Sequence, residues 1–345
     1  MAHAARVWQT AAMRVLLYEW CSSGGLEADD ATIAAEGKMM LEALAADAVK
    51  TSSCDVTVLV DASRPISLPS RVRTVSVQPG HDTASLVAAA RVADWTVVVA
   101  PETDGVLLDR IRAVRAAGGR LLSPPVDVVA IASDKQSTAE TLAAAGIAVP
   151  AGRSLAPAEP WPTGFRRPAV RKARAAAGGA GFVMVRATDR EPAAATAASR
   201  IEAAVRGIPV GVACIAGPAG VWPLHPMRQR YSEEPAHDYL GSEPLAEPDL
   251  AARAVILARR AVIALAGSGW LGVDLVLGPR ADGRDDRVLE VNPRITSSFV
   301  GHAAADRRSL VLAIIDAIVG RKPWPAAGAA RPSAFEIPRH AHAPA

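Results

Sequence analysis

The stretch from Trp270 to Gly301, WLGVDLVLGPRADGRDDRVLEVNPRITSSFVG, decides how this chain is read. Two apolar runs, LGVDLVL and RVLEV, flank a connector rich in Gly, Pro and Asp, the pattern of two antiparallel strands joined by a loop. Each run carries an acid that burial alone would not select. Side chains alternate faces along a strand, so Glu290 and Asn292 project to one side, and Asp274 on the partner strand can be brought opposite them. Acids at strand ends often only face water. Here Leu271, Val273, Leu275, Val288, Leu289 and Val291 argue for a packed sheet, where unpaired acids are costly. Three oxygen donors on one patch suit a hard cation, magnesium with manganese as an admissible substitute, completed by waters and substrate phosphates. Arg294 follows with a fork of donors suited to a phosphoryl or acyl phosphate oxygen.

The whole chain has 345 residues, enough for about two or three packed units. Half of the residues are hydrophobic, so a sizeable core can form. A formal net charge of +3 without a basic run, and an aromatic content of 4%, argue against a nucleic-acid partner. Cys21, Cys54 and Cys214 form no CxxC pair, which fits a reducing compartment and speaks against a cysteine-built metal site. Residues 1–12 lack the apolar core of a signal peptide and read as a disordered extension or an upstream start choice. Arg259, Arg260 and Asp316 interrupt the best apolar stretches, so no membrane span is expected. The expected location is cytoplasmic.

From Met13 the pattern is strand, glycine turn, helix. RVLLYEW reads as a buried strand, CSSGGL as a turn and TIAAEGKMMLEALAADAVK as a helix; DVTVLVD, VRTVSV, WTVVVAPETDG and GRLLSPP read as further strands separated by helical runs. Strands alternating with helices imply a mostly parallel, doubly wound sheet that gathers ligand groups at its carboxyl ends, where Ser22, Ser23, Gly24 and Gly25 sit. The SSGG turn alone is no dinucleotide fingerprint, because GxGxxG is absent. At Ser133 the chain changes character: SDKQSTAETLAAAG reads as a capped helix with Lys135 in its first turn. PAVRKARAAAGGAGFVMV, residues 168–185, then reads as a hairpin lid. Lys172 supplies a point charge there, and Gly178, Gly179 and Gly181 let backbone N–H groups approach an anion.

In this order the pieces resemble the ATP-grasp superfamily of carboxylate–amine ligases, from Met13 to about Gly320. The shared features are a Rossmann-like N-terminal unit, the Asp134–Lys135 pair, Lys172 with its glycine loop, Asp274, and EVNPR at Glu290 to Arg294. RVLLYEWCSSGG, the Glu36–Gly37 pair, PLHPMRQRYS, DYLGSEPL and EVNPRITSSFVG look most like the tyramine:glutamate ligase group of methanofuran-type C1 cofactor synthesis. The resemblance implies an α/β ATP-grasp fold in which two α+β subdomains enclose a nucleotide. The expected units are a Rossmann-like pre-ATP-grasp domain at 13–125, a lid subdomain at 126–205, a metal-bearing subdomain at 206–322 and a flexible tail at 323–345, with His340 and His342 in the tail.

The activity implied is ATP-dependent: phosphorylation of a carboxylate to an acyl phosphate, then displacement of phosphate by an amine. Small-molecule amino-acid and amine substrates would be the partners, with a homodimer left open. The roles implied follow the motifs. Asp274, Glu290 and Asn292 would hold magnesium. Lys135 and Lys172 would grip the ATP phosphates under Gly178, Gly179 and Gly181, with Glu202 as the polar side chain of the adenine hinge IEAAVRG. Arg294 and Lys172 would stabilise the transferring group. Ser22, Gly24, Glu36, Arg228, Gln229 and Arg230 would line the substrate pocket, with Tyr231, Tyr239 and Trp20 as faces for a phenolic amine. This chain departs from the pattern at Pro209, where many relatives carry a ribose-contacting Glu, and at Ala173 and Ala176, where Pro and Gly are common. A ligase for another amino acid, a peptide or a pterin-linked glutamate, and a binding protein that has lost turnover, fit the same residues.

Overall fold

A computed structural model describes residues 12–26, 31–78, 80–177, 179, 181–232, 238–324 and 330–338. The extension expected at 1–12 falls, except for Ala12, outside the described residues, as do His340 and His342.

The N-terminal unit is a parallel sheet ordered β3-β2-β1-β4, built from β1 (Met13–Glu19), β2 (Cys54–Asp61), β3 (Arg73–Val77) and β4 (Trp95–Val99). β1 is apolar from Val15 to Tyr18 because both of its faces are covered there. Val15 and Leu17 pack into one hydrophobic cluster with helix α1 (Ala31–Ala48), while Leu16 and Tyr18 pack into another with α2 (Asp82–Ala90) and α3 (Val106–Ala116). The strand expected at GRLLSPP is reduced to one parallel bridge, Thr96 to Leu121. Pro124 and Pro125 follow at once and supply no N–H for a ladder, so the pairing stops there.

Two antiparallel sheets complete the fold. The smaller is ordered β5-β8-β6-β7, from β5 (Gly152–Leu155), β6 (Ala169–Ala173), β7 (Val183–Val185) and β8 (Ser199–Ala203). The larger runs β14-β13-β9-β11-β12-β15, with β10 paired to β9. Its strands are β9 (Ile208–Gly217), β10 (Gly220–Pro223), β11 (Met227–Tyr231), β12 (Tyr239–Pro244), β13 (Gly269–Leu277), β14 (Arg287–Asn292) and β15 (Phe335–Glu336).

One face of this sheet packs on helix α6 (Pro248–Ala264) through Val210, Val212, Leu271, Val273 and Leu275. The other face carries Ala213, Ile215 and Trp270 into the cluster shared with α1, α7 (Ser298–Ala305) and α8 (Leu310–Ile318), so it looks toward the N-terminal unit.

Two boundaries differ from the sequence reading. Helices α4 (Val126–Ala132) and α5 (Lys135–Ala144) were expected with the lid, but Val128, Ala132 and Leu142 bury themselves with Val210 and Leu275 of the large sheet. These two helices therefore belong with the large sheet, and the small sheet stands without them. The tail expected to be flexible contains β15, which pairs with β12 at Gly241–Glu336 and Ser242–Phe335. Phe335 and Ile337 are buried against Met227, and that apolar contact with the ladder hydrogen bonds holds residues 330–338 on the sheet edge.

Candidate active site

β13 and β14 pair with Asp274 opposite Glu290 and Gly272 opposite Asn292. The register shifts just beyond Asp274, so that Leu275 pairs with Val288 and Leu289 is the extra residue of a bulge. This shift matters because strict alternation would put Val288 on the same face as Glu290. Across the bulge, Val288 and Val291 turn into the α6 core, while Glu290 and Asn292 stay with Asp274 on the face toward the N-terminal unit. Asn292 Nδ2 donates to Asp274 Oδ2 at 3.0 Å and Gln229 Nε2 donates to Asp274 Oδ1 at 2.8 Å. Gly211 lies beneath: a Cβ there would stand 3.3 Å from the Gln229 amide and 3.5 Å from Asp274 Oδ1.

The acids face lysines from two other elements. Asp134 caps α5 by accepting from the N–H groups of Gln136 and Ser137, and Lys135 is the first residue of the helix. Its Nζ lies 3.2 Å from Glu290 Oε2 and donates to the Ala176 carbonyl of the glycine-rich loop at 2.7 Å. Lys172, on β6, pairs with Glu202 of β8 at 2.7 Å, and Glu202 also accepts from Arg200 Nε at 3.0 Å. Glu202 is thus buried between two cations. Gly179 and Gly181 have φ of 77° and 73°, left-handed values that favour glycine, while Gly178 lies outside the described residues. Glu102, Ser133, Lys135, Ala176, Glu290 and Asn292 line a narrow cleft. A larger, mostly apolar hollow beside α6, lined by Val221, Arg259 and Ile263, holds none of these acids or lysines.

Burial pushes the Asp274 carboxyl up, reinforced by the charge of Glu290. Burial acts on Glu290 in the same sense, but Lys135 and Lys172 outweigh it and hold that carboxyl below its ordinary value. Burial works against the Lys135 ammonium too, and Glu290 and Glu102 more than restore it. Two carboxylates and an amide oxygen form a hard donor set, and a divalent cation would relieve the strain between the acids. Among the described residues no group of three or more His, Cys, Asp or Glu could hold a metal by itself. A hard donor set of this size suits an ion that takes its remaining ligands from substrate and water.

Around Arg294 the structure assembles acids. Arg294 Nε and Nη2 donate to Glu102 at 2.9 and 3.2 Å, from residues 192 apart in sequence. Glu36 is held close to Arg294 and bonded to Ser297; burial raises its pKa, with Arg294 opposing. The adjoining Gly37 explains the close approach of α1 to β1, since a Cβ there would meet the Glu19 carboxylate at 2.5 Å. Glu19 in turn accepts from the N–H groups of Cys21 and Ser22 at 3.1 and 2.8 Å, which fixes the turn containing Ser22 and Gly24.

Arg228 and Arg230 do not join the pocket. Consecutive residues of a strand face opposite ways, so Gln229 reaches Asp274 while its neighbours turn outward. Arg228 pairs with Glu247 at 2.7 Å at the start of α6, and Arg230 pairs with Glu336 at 3.0 Å on the sheet edge. Tyr231 shares the face of Gln229, donating to its Oε1 at 3.2 Å, and stacks at a tilt on Tyr239, with ring centroids 5.7 Å apart. Trp20 packs beside the α2–α3 core. The sequence reading missed Glu102, a buried acid in PETDG just past the carboxyl end of β4, the edge where ligand groups of such a sheet gather.

Residues 132–298 match the family model described as an ATP-grasp domain, and residues 54–131 match that of a pre ATP-grasp 3 domain. The chain carries an ATP-grasp domain. Its fold is the ATP-grasp fold with an N-terminal pre-ATP-grasp domain. Solved structures agree. An Archaeoglobus fulgidus protein assigned to the ATP-grasp superfamily is 22% identical at a TM-score of 0.69, covering 91% of this chain and 90% of its own. An L-amino acid ligase from Bacillus licheniformis is 16% identical at 0.67, covering 93% and 78%. The D-alanine–D-alanine ligase from Bacillus anthracis is 16% identical at 0.59, covering 89% and 96%. A search of curated proteins finds no match. No helix among the described residues is long and apolar enough to cross a membrane.

Proposed function

We propose that this ATP-grasp protein is an ADP-forming ligase that joins an amine to an amino-acid carboxylate through an acyl phosphate, with glutamate and tyramine as the preferred pair. The observation that carries this reading is the meeting of Asp274, Glu290 and Asn292 with Lys135 across one cleft, 3.2 Å separating the lysine from Glu290. Phosphoryl transfer asks a protein for positioning and charge neutralisation more than for covalent chemistry, and this cleft offers both signs of charge. Magnesium, held by Asp274, Glu290 and Asn292, would neutralise the terminal phosphates. Lys135 and Lys172 grip the phosphates, the segment containing Gly179 and Gly181 covers them, and Glu202 is the polar side chain of the adenine hinge. Arg294 presents its donors to the transferring group, and Glu36 with the Ser22–Gly24 turn receives the polar end of a substrate.

The choice of glutamate and tyramine rests on the resemblance of EVNPRITSSFVG and its companion motifs to the tyramine:glutamate ligase group. The stacked Tyr231 and Tyr239 beside Gln229 add an aromatic wall suited to a phenolic amine. The test is ADP release over a panel of acids and amines, with the amide product identified by mass. The expected result is ADP and an amide of glutamate with tyramine, from glutamate, tyramine, ATP and magnesium. ADP and an amide from a different pair would overturn the substrates and keep the ligase; no ADP from any pair would overturn the ligase.

A further inference from the structure

Beyond β4 the chain makes a single 3-10 turn, Thr103–Gly105, before α3 begins. Asp104 and Gly105 have φ of 51° and 75°, two left-handed residues in succession. This reversal leaves the preceding pair, Glu102 and Thr103, facing the other two units of the fold. Glu102 is 4% exposed, and its carboxylate takes Nε and Nη2 of Arg294 at 2.9 and 3.2 Å. Thr103 Oγ1 accepts from the N–H of Ala177 at 3.1 Å, in the glycine-rich loop. The carbonyl next to that N–H, Ala176 O, is the one held by Lys135 at 2.7 Å. One peptide step of the N-terminal unit therefore touches both the arginine and the loop.

The edge of Arg294 that Glu102 occupies is informative. A guanidinium can meet an oxyanion side-on through Nε and Nη2 or end-on through Nη1 and Nη2. Glu102 takes the side-on edge, and among the described residues Nη1 makes only a long contact of 3.3 Å, to the Ile295 carbonyl. Held in this way, the guanidinium has its plane and direction fixed while its end-on edge can still receive phosphoryl oxygens. Burial works against the guanidinium charge, and Glu102 and then Glu36 more than restore it.

We propose that Glu102 is a positioning residue that sets Arg294 for the acyl phosphate, and that the Glu102–Thr103 step couples this setting to the seating of the glycine-rich loop; this rests on the ligase reading above. With the loop down on Thr103, the turn is fixed and the arginine is aimed. When the loop lifts, the turn that carries Glu102 loses its second anchor and Arg294 loses its fixed direction.

The test has two arms. In kinetics, Glu102→Ala lowers kcat for ADP formation by about 100-fold, the cost of a misplaced catalytic group, and leaves the KM for ATP within about threefold. Glu102→Asp recovers part of the loss. In an Arg294→Lys background, Glu102→Ala costs no more than about twofold further, because its effect passes through the arginine. An equal loss in both backgrounds, or a loss confined to KM, overturns the positioning role. The second arm is hydrogen exchange on the protein alone, which requires no turnover. Thr103→Val speeds exchange at Ala177 and in the peptide holding Arg294, and Thr103→Ser restores both. Faster exchange at Ala177 alone overturns the coupling, and unchanged exchange overturns the latch. A wild-type chain that forms no ADP with any substrate defeats the ligase reading, and with it the proposed role of Glu102, while the exchange arm still decides the latch.

Discussion

Two hairpins of the large sheet carry polar residues toward the cleft, and they spend them differently. On β14, Glu290 and Asn292 stand two apart, so both reach the face of Asp274. On β11, Arg228, Gln229 and Arg230 are consecutive, so only the middle one does; the arginines pair with Glu247 and Glu336 on other surfaces. Three polar residues in a row look like a cluster in one dimension and are split by the pleat in three. A functional set on a strand must be read every second residue, and a bulge such as the one at Leu289 resets the count.

Glu290→Ala is the severest way to test the first hairpin. It should lower magnesium-dependent ADP formation by about 1000-fold while thermal unfolding changes little, since the removed acid sits in a cleft and not in the core. Wild-type turnover in this variant would mean that the pair Asp274–Glu290 is not the metal site. The edge that holds the second hairpin is probed by Phe335→Ala, which should cost about 3 kcal/mol in denaturant unfolding. An effect near zero would mean that β15 is dispensable to β11 and β12.

His302, on α7, is buried edge-on to Trp270 with ring centroids 6.3 Å apart. Burial drives its pKa down to about 3, with the charge of His225 acting in the same sense. The unfolded chain binds a proton near pH 6.5 that the folded chain refuses until about pH 3. Stability from this group is therefore complete above about pH 6.5 and falls as the pH drops toward 3, at up to about 1.4 kcal/mol per unit. Comparing the pH dependence of unfolding in wild type and His302→Gln checks this: the variant should have a shallower slope between pH 6.5 and 5, and equal slopes would refute it.

The smallest effects sharpen the contrast within β11. Gln229→Ala, which removes a donor to the Asp274 carboxylate, should lower kcat about tenfold. Arg228→Ala and Arg230→Ala should each stay within about twofold of wild type. A large loss in either arginine variant would return those residues to the pocket and break the comparison.

The sequence by itself determined those features whose physics is local. The βα alternation of the N-terminal unit was legible from continuous apolar runs such as Val15 to Tyr18, because a strand covered on both faces leaves no room for polar residues. The cap at Asp134, the spacing of Glu290 and Asn292 and the glycines after Lys172 were legible because each is a short-range rule of backbone geometry. Only the tertiary structure decided what comes together across the chain. Glu102 meets Arg294 over 192 residues, α4 and α5 pack on the large sheet instead of the lid, and Phe335 returns to the edge of β12. No local pattern encodes these contacts: each is chosen when separately formed surfaces compete for the same buried partner, and that competition is resolved only once the units are packed together.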